Sequence, residues 1–141
     1  MLPNLVNLVF LSFMNKQIII TAAILGALAV VVGAFGAHGL KAHIAPPQLD
    51  VWQTGVQYHF YHVLALLILA VLPLDGKSVS TVYYLFTFGI VLFSGSLYLL
   101  ACRELLGFSW IKFFGPVTPI GGLLFIAGWV MLAVSAYKQL K

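Results

Sequence analysis

The spacing of the charges constrains this chain more than any other feature. Twenty-four residues without Asp, Glu, Lys or Arg separate Lys16 from Lys41, and another 24 separate Asp50 from Asp75. Between Lys77 and Arg103 there are 25, and between Lys112 and Lys138 again 25. A hydrocarbon core of about 30 Å takes roughly 20 apolar residues at about 1.5 Å rise each. Four uncharged intervals of one length therefore read as four membrane-crossing helices. The expected fold is all-α, an integral membrane four-helix bundle in one domain of residues 14–141, with spans over about 17–37, 54–72, 79–102 and 120–137. Composition agrees: charged residues are 7% of the chain against about 25% in a soluble domain, too few to coat a water-facing surface.

The net charge of +4 and pI of about 9.4 do not point to nucleic acid. The basic residues stand singly at the ends of the apolar runs, where headgroups favour them, and form no basic patch. One cysteine, Cys102, excludes an internal disulfide framework and a cysteine-only metal site. Residues 1–13 are apolar but lack a basic leader and a small-residue cleavage site. Met14-Asn15-Lys16-Gln17 is the better beginning, so residues 1–13 read as an extension from an upstream start or as an interfacial lead-in helix. Lys16, Lys77, Lys138 and Lys141 on one side against Lys41, Arg103 and Lys112 on the other favour cytoplasmic termini by the positive-inside rule.

Small residues mark the expected helix seams. Ala22, Gly26, Ala29, Gly33 and Ala37 share one face of the first span, with Gly36 beside them, and Ser94-Gly95-Ser96 lies in the third. In lipid, helices associate through such close-packing stripes and through hydroxyls bonded across them. Gly39 fits a left-handed cap closing the first span, with Lys41 at the carbonyl end of the dipole. The pair Pro46-Pro47 then forbids continuation. Phe108, Trp110, Phe113 and Phe114 around Lys112 read as an interfacial segment.

All four histidines, His38, His43, His59 and His62, fall between residues 33 and 67. His59 and His62 are three apart on one helical face, with Tyr58 four before His62 and Gln57 close by. Ionisable groups within a membrane are costly, and their cluster is the candidate site: His38, Gln57, Tyr58, His59 and His62. One reading is structural, with neutral imidazoles bonded across a seam. Another joins His38 to His59 or His62 across two helices as ligands to a metal or to haem iron. Paired carboxylates for acid–base work and a serine-nucleophile elbow are both absent.

The segments Gly33-Ala34-Phe35-Gly36-Ala37-His38-Gly39-Leu40, Trp52 to Ala65, Ser94-Gly95-Ser96-Leu97-Tyr98 and Pro116 to Gly122 together resemble the domain-of-unknown-function 423 family of YgdD-like and transmembrane protein 256-like small membrane proteins. The resemblance runs from about residue 14 to the C-terminus. It implies a small multi-pass protein and, for a bacterial member, the cytoplasmic (inner) membrane. It brings no activity, cofactor or catalytic residue. The function expected is that of a non-enzymatic accessory or scaffold protein in the lipid bilayer, associating with itself or with other membrane proteins. The alternatives are a histidine-lined binding or redox module for a metal, haem or quinone, and a small-solute transporter.

Overall fold

The structure is a computed structural model that describes residues 5–107 and 109–140. Residues 1–4 of the leading segment, Phe108 of the interfacial segment and Lys141 lie outside the described residues. The fold is all-α, with no strand among the described residues. Helix α1 spans Leu5–Phe35 and runs on through a π-turn, Gly36–Leu40. Helix α2 covers Pro46–Leu69. Helix α3, Gly76–Gly89, passes through a second π-turn, Ile90–Ser94, into α4, Gly95–Ala101. A short α5, Arg103–Leu106, and a 3-10 segment, Ser109–Phe114, lead to α6, Val117–Gln139.

Three of these rods are long and apolar enough to cross a membrane: Met14–Leu40, Gly76–Ala101 and Val117–Gln139. Helix α2 has the length, 24 residues, but its Gln, His and Tyr content leaves it less apolar than the other three. The expectation of four equal apolar spans is thus met by three.

Helix α1 ends differently from the sequence expectation. Gly39 is not left-handed, and the only positive-φ residue among those described is Gly107, φ 68, which closes α5. Instead the Trp52 indole N–H donates to the Val32 carbonyl at 2.9 Å. A side chain bonded into the helix ladder competes with the next backbone amide, and the chain widens to the π-turn directly after it. Leu40 carbonyl then accepts from His43 N at 2.8 Å and Ile44 N at 3.1 Å. Helix α2 starts with Pro46, where a missing N–H costs nothing.

Two antiparallel pairs form the frame. Along α1 and α2, Gly26 faces Val63, Gly33 faces Val56 and Gly36 faces Trp52. Ala22 and Ala29 are buried on the same stripe, which continues through Gly36 and not Ala37. Along α3–α4 and α6, Asp75 meets Gln139, Phe86 meets Gly128, Gly89 meets Phe125, Phe93 meets Gly121 and Ser96 meets Thr118. In every one of these pairs the two residue numbers total 214, so the rods stay in one register over their whole length. The Phe125 and Phe86 rings fill the place of the missing side chain at Gly89 and Gly128, and the Phe93 backbone closes on Gly121. Thr21 bonds Tyr83 at 2.9 Å, which sets α1 beside α3. Helices α1 and α6 take the outer positions, with backbones nowhere adjacent among the described residues.

A polar clasp closes one end of the α3–α6 pair. Asp75 caps α3, its Oδ1 accepting from the backbone N–H groups of Lys77 and Ser78 at 3.0 Å each. Its Oδ2 accepts from the Ser78 hydroxyl at 2.7 Å and from the Gln139 amide. Gln139 Oε1 in return accepts the Asp75 backbone N–H at 2.7 Å. The Ser78 hydroxyl foremost, then the Ser78 and Lys77 amides and Gln139, hold this carboxyl below its ordinary range against some desolvation. A depressed pKa stabilises the fold above the unfolded value of about 3.9, and the effect is lost as pH falls through the lower folded value. Melting in detergent is therefore expected to shift downward below about pH 4, and Asp75→Asn to flatten that dependence. Asp75→Ala is expected to cost about 1 kcal/mol at neutral pH.

Candidate functional site

Two apolar clusters bracket a polar layer. One gathers Ile18, Ala22, Leu66, Leu69, Val82 and Phe86, and the other Leu40, Trp52 and Ala101. Between them α2 turns His59 and His62 inward, 1% and 4% exposed.

His62 is saturated. Its Nδ1–H donates to the Tyr58 carbonyl at 2.8 Å, and its Nε2 accepts from the Trp129 indole N–H at 3.1 Å. An indole only donates, so Nε2 carries no proton in this arrangement and the ring is neutral. The imidazole stacks on Phe125 with centroids 3.5 Å apart and 9° between planes, and meets Phe86 edge-on at 5.2 Å. One side chain of α2 thereby joins α3 and α6.

His59 reaches a different helix. Its Nδ1 lies 3.1 Å from the Tyr98 hydroxyl. Its Nε2 is buried without a hydrogen-bond partner. His59 thus links α2 to α4. Tyr98 also packs on Trp52 with centroids 4.7 Å apart and on Gly55, where a Cβ would come within 2.8 Å of its ring.

Ser94, fully buried, has an Oγ without a partner. Ser96 donates to the Phe93 carbonyl at 2.9 Å, inside the π-turn, and so accepts from Thr118 at 2.7 Å. Gly95 faces open space within 4 Å.

The other expected members stand apart. His38 is exposed on the π-turn, and the α1–α2 register sets it roughly eight to nine helical steps of α1, about 13 Å along the axis, from the level of His59. His43, also exposed, donates from Nδ1 to the Gly39 carbonyl at 2.8 Å. Among the described residues, no three His, Cys, Asp or Glu side chains are grouped to hold a metal ion. Tyr58 packs on Phe93 at 4.8 Å and is 41% exposed. Gln57 faces outward with Gln53, on the rim of an open groove of about 170 Å³ between α1 and α2, floored by Gly33, Gly36 and Ala37. Trp129, the partner of His62, was not among the expected site residues. Its four-residue spacing from Phe125 was the available signal.

Residues 32–122 match the family model described as "Protein of unknown function (DUF423)". The chain belongs to this family. The match takes in all of α2 and both π-turns, and ends at Gly122, one residue past the Gly121 contact. The UPF0382 membrane protein YwdK of Bacillus subtilis is 49% identical over 128 residues, covering 89% of this chain and 99% of its own length. The UPF0382 membrane protein SH2409 of Staphylococcus haemolyticus is 43% identical over 124 residues, 87% of this chain and 97% of its own. The UPF0382 membrane protein SAB0533 of Staphylococcus aureus is 44% identical over 124 residues. No solved structure matches the chain. Family membership and three apolar rods make this a membrane protein.

Proposed function

We propose that this chain is a four-span protein of the bacterial cytoplasmic membrane, an accessory or scaffold subunit without enzymatic activity. The fourth crossing is α2. Support for it is that α1 and α3 run parallel, joined at Thr21 and Tyr83, while α2 runs antiparallel to α1 in continuous register from Gly36–Trp52 to Gly26–Val63. Two parallel crossings need a return between them. Both termini then share one face of the membrane.

The observation carrying the non-enzymatic reading is His62: both ring nitrogens are engaged by protein and the ring is buried against Phe125, leaving no lone pair for a metal. Imidazoles used in this way pin helices together, the role that interhelical hydrogen bonds take in lipid. The test is purification in mild detergent with absorbance, metal analysis and identification of co-purifying proteins. We expect no Soret band, no stoichiometric metal, and lower melting temperatures for His59 and His62 variants. A stoichiometric chromophore or metal that disappears with either histidine would establish the binding or redox module instead.

A further inference from the structure

The polar side chains that set α2 apart fall into two groups. His59 and His62 point inward, whereas Gln53, Gln57 and Tyr61 point outward on one face with Phe60 and Leu64. Neither carboxamide makes a hydrogen bond among the described residues. On the four-span reading, Gln57 lies about 16 Å along the helix axis from Pro46, near the middle of a hydrocarbon core about 30 Å thick. Lipid tails supply neither donor nor acceptor there, so a carboxamide on this face calls for a protein partner.

We propose that the partner is a second copy of this chain, packed α2 against α2 about a two-fold axis along the membrane normal. Two copies inserted in the same orientation carry Gln53 and Gln57 at identical depths, and a two-fold axis sets like residues opposite each other. A carboxamide both donates and accepts, so Gln57 pairs with Gln57 and Gln53 with Gln53, each giving one N–H and accepting one. The groove beside the pair, floored by Gly33, Gly36 and Ala37, lets the opposing backbone come close, as small residues do in membrane dimers. The face thus pairs its carboxamides with no molecule other than a second copy.

The proposal rests on α2 crossing the bilayer, and its test separates the two. Single cysteines are placed in a Cys102→Ser background at Leu64, 46% exposed on the α2 face, and at Ile126, 61% exposed on α6, and the intact membranes are oxidised. The expected result is a disulfide-linked homodimer for Leu64→Cys and background for Ile126→Cys. Adding Gln53→Leu and Gln57→Leu should cut the Leu64→Cys yield about tenfold, or about 1.4 kcal/mol over the two carboxamide pairs. Equal yields at the two positions, adducts only to a different protein, or a yield indifferent to the glutamines would overturn the proposal. Failure of the crossing itself shows separately, as His43→Cys and Lys77→Cys labelled from the same membrane face.

Discussion

Gly121→Ala is expected to be the most destabilising single-methyl change in the protein. A Cβ at Gly121 would lie 2.7 Å from the Phe93 Cα and closer still to its amide nitrogen. Gly36 and Gly128, by contrast, meet the Trp52 and Phe86 rings, each at 2.5 Å. A ring can tilt, but a helix backbone cannot move without its neighbours. Because every contact from Asp75–Gln139 to Ser96–Thr118 keeps one register, opening the pair at Gly121 also strains the Ser96–Thr118 bond one turn away. Overpacking of this kind typically costs about 1–3 kcal/mol, and Gly121→Ala belongs at the upper end. Gly95→Ala, in α4 on the facing rod, is the control: nothing lies within 4 Å, and replacing a helical glycine should stabilise by up to about 1 kcal/mol. Reversible unfolding in detergent reads both. Equal effects at the two glycines would show that the α3–α6 seam is not packed as described.

His62→Ala is the second large effect. It removes a ring stacked at 3.5 Å on Phe125 and wedged against Phe86, a loss comparable to truncating a buried aromatic, about 3–5 kcal/mol. His62→Phe divides that cost. The stack is retained, while the Trp129 N–H loses its acceptor, for about 1–3 kcal/mol. Trp129→Phe removes the other partner of the same bond, so the double variant should be more stable than the sum of the singles predicts. Strict additivity would mean that the Trp129–His62 bond at 3.1 Å contributes nothing.

These two effects sit where the sequence was hardest to read. The uncharged intervals mark the long rods because charge is excluded from hydrocarbon regardless of packing. The faces are another matter: lipid is as apolar as a protein core, so periodicity cannot separate a buried Phe86 from a lipid-facing Phe88. The Phe–Gly pairs of α3 and α6 join residues more than 25 positions apart and leave no local trace. Nor do the π-turns, which depend on tertiary contacts such as Trp52 on the Val32 carbonyl. Proximity in sequence also overstated the histidine cluster. His38 and His59 flank the same connection, but antiparallel rods carry them about 13 Å apart in height, and only His59 and His62 face inward. Gln57, grouped with them by spacing, points the other way.

Helix α2 crossing the bilayer beside α1 sets the topology of the whole chain, and labelling of single cysteines in intact cells with a membrane-impermeant maleimide tests it most directly. His43→Cys, between α1 and α2, should react from one face of the membrane. Lys77→Cys, at the start of α3, and Lys138→Cys, at the end of α6, should react from the other. Labelling of positions 43 and 77 from the same face would contradict it.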